Sequence, residues 1–223
     1  MRKTLAAAFA ALLVGIGLVW TQPTEAWLAQ APPSGPVTLT WNPADKNVGI
    51  TLSGGNLTAT VGGSAQLVRA TGSDTTALCY YEVAASQRSS NWSTGFALAS
   101  LSVSTTYLGA TFASVGVLPA DGIYINNSLK VALPSYTLGN AMGIAYDGTH
   151  QKIWARMAAA GNWNNDVIGN QNPATNTGGV DISGLTAGAL FPAFDATTSG
   201  DNATANFGGS AYTGTPPSGF GNC

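Results

Sequence analysis

From residue 37 onward, apolar positions recur at intervals of two and are broken every few residues by Gly, Pro, Asn or Ser. Val37-Thr-Leu-Thr-Trp41 alternates, as does Asn56-Leu-Thr-Ala-Thr-Val61 after the turn pair Gly54-Gly55. A period of two puts every other side chain on one face of a strand. Further strands are expected at Gln66 to Ala70, Ala77 to Val83, Gly95 to Leu101 and Gly122 to Asn126. Later ones are expected at Ala141 to Asp147, Lys152 to Arg156, Ala189 to Asp195 and Ala203 to Phe207. Thr, Val, Tyr and Trp fill these runs, as a pleated, half-buried surface favours. No segment beyond residue 30 sustains a helical i, i+3, i+4, i+7 pattern. The expectation is an all-β, antiparallel β-sandwich, with a barrel as the alternative. No fixed-period repeat supports a propeller or solenoid.

Two stretches depart from the pattern. Gly161 to Val180 is rich in Asn and almost without alternation. Loops of that length in a compact domain tend to be functional or disordered. Gly208 to Cys223 is rich in Gly, Pro, Ser and Thr and reads as a tail over the surface.

The chain opens with Arg2 and Lys3, then an uncharged apolar stretch from Leu5 to Trp20, then a polar segment leading to Ala26. Thr24 and Ala26 hold the small-residue positions of a cleavage site. Residues 1–26 therefore read as a secretory signal peptide cut after Ala26. The apolar stretch is shorter than the ~20 residues a membrane span needs; an uncleaved anchor is the alternative. Residues 27–40 read as a Pro-rich linker and 41–223 as one domain. The expected location is secreted or extracytoplasmic, in a periplasm or at a cell surface, with no membrane insertion after cleavage.

Export changes two readings. Without Arg2, Lys3 and Glu25, the eight basic and ten acidic residues become six and nine, a formal charge of −3. No basic patch remains for a phosphate backbone, so nucleic acid is not an expected partner. An oxidising compartment also permits a disulfide between Cys79 and Cys223, although a terminal thiol can equally stay free or pair with another chain. Only 8% of the residues are charged, against roughly 25% in an average soluble domain. Polarity rests on Ser, Thr, Asn and Gly instead, the residues of short strands and turns.

Several of these runs, taken in order, resemble the SPRY domain, a concanavalin A-like jelly roll. The matching residues are Cys79-Tyr-Tyr-Glu-Val83, Gly95-Phe-Ala97, Leu108-Gly109, Ser114-Val-Gly116 and Gly122-Ile-Tyr-Ile-Asn126. The pair Gly143-Ile-Ala-Tyr-Asp147 and Lys152-Ile-Trp-Ala-Arg156 resembles the family's hairpin most specifically. Phe191-Pro-Ala193 and Ala205-Asn-Phe-Gly208 resemble its closing strands. The opening Trp41-Asn-Pro-Ala-Asp-Lys46, with Ile50-Thr-Leu-Ser53, and the loop from Asn172 to Ile182 are similar to SPRY-like proteins of bacteria and their phages. Ala155 stands where the family usually has an aromatic residue. The resemblance covers Trp41 to Phe220 and implies a recognition module for protein or glycan without an active site. It transfers no ligand, because binding residues in this family lie in variable loops.

The residues themselves supply little chemistry. His150 is the sole histidine and sits in Asp147-Gly-Thr-His-Gln151, which reads as a hairpin tip, so a Ser-His-Asp triad would have to use a turn residue, and one His with two distant Cys lacks zinc-ligand spacing. Glu82 is the sole Glu left after signal removal, and the Glu-x-Asp-x-x-Glu pattern of sandwich glucanases is absent. Asn164, Asn165, Asp166, Asp181 and Asp201 offer oxygens without a calcium-loop spacing and read as turn caps. Neither metal nor cofactor is expected.

Tyr80, Tyr81, Trp41 and Trp154 read as core or sheet-face residues. Trp92 and Trp163 differ, since each stands among polar loop residues. Either they are binding anchors, Trp163 with Asn162, Asn164 and Asn165 beside it, or they are plugs beneath their loops. The functional expectation is an exported, non-catalytic recognition or adhesion module for a protein partner. A glycan-binding domain, or a structural component of a cell or virion surface, is the alternative.

Overall fold

A computed structural model describes residues 38–73, 78–105, 107–119 and 121–223. The signal segment 1–26 and linker residues 27–37 lie outside the described residues. The rest is an antiparallel sandwich of two sheets. The first sheet runs in the order β1 (Trp41–Lys46), β4 (Gln66–Ala70), β13 (Leu190–Ala196), β6 (Ser93–Leu98), β7 (Ser114–Leu118), β8 (Gly122–Ile125) and β9 (Ser128–Ala132). The second runs β12 (Val180–Asp181), β11 (Lys152–Arg156), β10 (Met142–Asp147), β5 (Leu78–Ala84), β14 (Asn202–Asn206), β3 (Thr58–Val61) and β2 (Ile50–Ser53). Inward residues of both sheets make one core, with Trp41, Phe96 and Phe194 from the first meeting Tyr81, Ile144 and Ile153 from the second.

The differences from the sequence pattern have local causes. The alternation from Val37 predicts a strand ending at Trp41; the strand instead begins there. Its neighbour β4 ends at Ala70, which pairs with Trp41, so the residues before Trp41 have no strand to join. Likewise β6 starts at Ser93, not Gly95, because Asp195 and Phe194 pair with Ser93 and Thr94; it stops at Leu98, where a turn to Leu101 begins. The alternation also misses β7 and β9 as strands. In β7, Gly116 interrupts the side-chain alternation and sits mid-strand where any Cβ would strike the Leu108 carbonyl. β9 is an exposed edge joined to β8 through Asn126 and Asn127, both at positive φ. Asparagine tolerates that conformation, so this pair closes the hairpin without glycine.

On the outer face of the first sheet, the stretch between β6 and β7 covers a second, smaller core of Leu67, Ala97, Leu101, Leu108 and Ala193. Asp195 lies at its margin, fully buried. Its Oδ1 accepts from the Ser93 hydroxyl and from the Leu108 N–H at 3.2 Å, while Oδ2 has no partner among the described residues. Burial pushes the carboxyl up to about 7, against the two bonds that favour the anion. An unfolded Asp titrates near 3.9, so between those values the unfolded chain loses a proton that the folded chain keeps. The stabilisation is complete below about pH 4, is lost as pH rises towards about 7, and is level above that. The urea midpoint should fall across this window, and Asp195→Asn should flatten the fall.

Candidate functional site

Along β5, alternate residues leave the core and face outward. Tyr80 lies opposite Ala145 of β10, and Glu82 opposite Gly143. Across β10, Gly143 pairs with Arg156 and Ala145 with Trp154. Tyr80, Glu82, Trp154 and Arg156 therefore share the outer face of the second sheet. Gly143 makes that grouping possible, since a Cβ there would fall 2.6 Å from the Tyr80 hydroxyl and 2.8 Å from Arg156 Nε.

Half of this face is covered by the Asn-rich stretch, which is ordered. It holds 3-10 turns at Trp163–Asn165 and Pro173–Thr175 and runs into β12. Asn164 is buried; its Oδ1 accepts the Ala155 N–H of β11 at 2.9 Å and its Nδ2 donates to Gln171 Oε1 at 3.0 Å. The amide thus replaces a missing strand neighbour. Gly179 rests on the Trp154 ring, where a side chain would collide, and the Trp154 indole donates to the Thr177 carbonyl at 3.1 Å.

The structure separates the five candidate binding residues. Trp163 is only 7% exposed. Its ring stands edge-on to Tyr80 at 6.3 Å and lies 4.6 Å from the Arg156 guanidinium carbon. Trp92 is fully buried in the main core, 5.3 Å from the Phe194 ring, and its indole donates to the Asn202 carbonyl at 2.7 Å. Both tryptophans are plugs in this conformation, since neither presents a face to solvent. Of the amides, Asn162 and Asn165 are exposed and Asn164 is not.

What the loop does present is Val167 and Ile168, 58% and 63% exposed. The turn beneath them is pinned. Asp166 accepts the Val167 N–H at 2.7 Å and the Asn170 side chain at 3.1 Å, and the N–H groups of Asn170 and Gln171 both donate to the Val167 carbonyl. Composition hides this pair, because two aliphatics in an Asn-rich stretch carry no pattern that says whether they are buried.

The other half of the face is covered by the C-terminal tail. Tyr212 sets its ring 4.8 Å from that of Tyr80 and donates to the Tyr80 carbonyl at 2.9 Å. The Glu82 carboxylate accepts the N–H groups of Thr213 at 2.8 Å and Gly214 at 2.7 Å, and also the Tyr80 hydroxyl. Arg156 Nη2 donates to the Thr215 carbonyl at 2.9 Å. Burial and the Glu82 charge push the Tyr212 hydroxyl up to about 12. The tail then adds a two-residue strand, β15 (Gly221–Asn222), parallel to β5 beside Cys79 and Tyr80, and closes a Cys79–Cys223 disulfide. A cavity of about 270 Å³ remains between the tail and β14, with Glu82, Thr204, Asn206 and Thr213 among its walls. The sequence carried one signal for this arrangement: a solitary Glu in the middle of a strand, in a chain nearly free of charge.

His150 sits at the β10–β11 turn. Its N–H donates to Asp147 Oδ1 at 2.9 Å and its Nδ1 lies 2.6 Å from Oδ2. Among the loop oxygens, Asp181 caps the Ser183 N–H and Asp201 accepts from Ser89. Among the described residues, no three His, Cys, Asp or Glu side chains gather as metal ligands.

Neither a protein-family model nor a curated protein matches the chain. Solved structures do. The chain is similar to the PSpry domain of TRIM65 at a TM-score of 0.58 and 18% identity, over 76% of this chain and 89% of that one. It is similar to the SPRY domain of human HERC1 at 0.58 and 12%, over 77% and 99%. Stonustoxin matches at 0.52 and 16%, over 76% of this chain and 27% of its own. At such identities the likeness is one of fold.

Proposed function

We propose that this chain is an exported, non-catalytic recognition module that grips a protein partner through the loop tip at Val167 and Ile168. The observation that carries the reading is an energetic one. Two adjacent aliphatic side chains stand in water on a turn that hydrogen bonds hold in place. A pinned tip loses little conformational freedom on binding, and burying two aliphatics contributes about 1.5–3 kcal/mol each at most. Asn162 and Asn165 supply hydrogen bonds around them. A glycan reading is weaker, because the tryptophans that would stack on a sugar are under the loop rather than on it. Export rests on the N-terminal pattern, and the bacterial or phage setting on the resemblance of the opening segment and the Asn172 to Ile182 loop.

The test uses intact native surfaces, cellular or viral, as the binding target. Protease treatment of the surface should abolish binding, and periodate oxidation of its glycans should not. Val167→Ser with Ile168→Ser should weaken binding about tenfold or more, the effect of losing a hot spot, while the melting temperature stays within a degree or two. Binding that survives protease and is lost to periodate would overturn the protein-partner reading. Binding indifferent to the double substitution would remove the loop tip.

A further inference from the structure

The contacts between the tail and the second sheet are those of a bound peptide. A carboxylate takes two successive N–H groups, Thr213 and Gly214, and a guanidinium takes the next carbonyl, Thr215. An aromatic side chain, Tyr212, settles edge-on against Tyr80. Main-chain bonds of this kind fix an extended segment in register, and side-chain fit then selects the sequence. Two positions are selective here. Tyr212 must be aromatic to meet Tyr80 and must carry a hydroxyl to reach the Tyr80 carbonyl. Position 214 must be glycine, since a Cβ there would collide with Arg156 Nη2 and fall 2.8 Å from the Ala159 carbonyl oxygen.

The receiving surface is costly to leave bare. Glu82 and Arg156 are buried beneath the tail, and among the described residues neither forms an ion pair. Arg156 is flanked by the Tyr80 and Trp163 rings. A desolvated carboxylate and guanidinium without each other need partners of some kind. The Tyr80 hydroxyl supplies one to each, accepting from Arg156 Nη2 at 2.9 Å and donating to Glu82, and the peptide backbone supplies the rest of those made.

We propose that this face is a peptide-binding site, filled in the monomer by its own residues 212–215, and that it accepts the same segment from a second copy of the chain when the Cys79–Cys223 disulfide is open. The chain itself, through residues 207–211, holds the segment at an effective concentration on the order of millimolar or higher, and the disulfide pins its far end, so the closed monomer ignores segments in trans. With the far end free the tail can leave, and an exchanged tail makes the identical contacts. Gly208, Gly209 and Ser210 serve as the hinge once the Asn206 side chain, which holds the Gly208 N–H and the Ser210 carbonyl, lets go. Exchange of an identical element between copies is a low-cost route to a dimer. This surface is separate from the loop tip at Val167, and the two proposals fail independently.

The test uses the full chain carrying Gly214→Pro and Cys223→Ser, which removes an N–H from the Glu82 contact, sets a ring against Arg156 and frees the tail. The probe is a synthetic peptide spanning residues 210–222. Saturable one-to-one binding, reported by Trp163 fluorescence, is expected, and the peptide with alanine in place of Gly214 should bind at least tenfold more weakly. A folded acceptor that binds neither peptide, or binds both equally, overturns the proposal. Should that acceptor fail to fold, the chain carrying Tyr212→Ala and Cys223→Ser, whose own tail has lost its anchor on Tyr80, is used with a peptide spanning 210–223 whose cysteine is an activated mixed disulfide. The Cys79 thiolate then attacks the peptide sulfur, forming the Cys79–peptide disulfide and expelling the activating thiol. An adduct forming at least tenfold faster with the native peptide than with its alanine counterpart supports the site; equal rates, or no adduct, overturn it.

Discussion

Trp92→Ala should destabilise the domain by about 3–5 kcal/mol, the usual cost of emptying an aromatic site in a packed core. The indole is fully buried against Phe194, and its loss also strands the Asn202 carbonyl, which accepts its N–H at 2.7 Å. An unpaired buried acceptor adds its own penalty. Trp163→Ala should also destabilise, by about 3 kcal/mol, but in a different way. Its ring covers Arg156 and Tyr80 and carries the base of the 161–180 stretch. Hydrogen exchange should therefore speed up at the amides of Gln171 and Gly179, while the strands of the first sheet keep their protection. Because the Val167–Ile168 tip stands on that base, partner affinity should fall with it. Urea unfolding and exchange on both variants decide the matter; a Trp163→Ala chain with unchanged midpoint and unchanged exchange would return the residue to the surface.

How far the sequence foretold these roles depends on what each residue's neighbours are. Alternation within a strand is a local property, so β3, β4, β10 and β11 were legible almost to the residue, and with them the sandwich. Trp92 was not, because its polar neighbours Asn91 and Ser93 look like a loop until β13 is placed beside them: Ser93 is buried by Asp195, a residue about a hundred positions away. The same holds for Trp163, whose burial depends on Arg156 and Tyr80 arriving from two other strands. Glu82 was visible as an oddity, but its purpose lay in main-chain N–H groups of a tail with no strand pattern, and backbone donors leave no mark in a sequence. Exposed Val167 and Ile168 were hidden for the opposite reason. Aliphatic residues are assumed to be buried, and only the structure reveals that Asp166 and Asn170 have fastened them outside.

Opening the disulfide should have the largest effect of all. Cys79 and Cys223 are 144 residues apart, and closing a loop of that size removes enough freedom from the unfolded chain to stabilise the fold by about 4–5 kcal/mol on the entropic account. Cys223→Ser is the appropriate variant, since Cys79 left alone in the core is a small hydrophobic side chain and tolerates burial. The native tail keeps its Glu82, Arg156 and Tyr80 contacts and its β15 pairing, so the domain should remain folded, with the loss falling on the unfolded side of the balance. That origin has a signature. The uncrosslinked chain unfolds to a more expanded ensemble, so the denaturant slope m should rise as the midpoint falls. Strand amides in the first sheet should lose protection only through global unfolding, whereas those of Thr213, Gly214 and Cys223 should exchange through local release of the tail. A Cys223→Ser chain whose midpoint and slope both match the parent would mean that the two cysteines do not constrain the unfolded state, and the bond would then be absent from the parent protein.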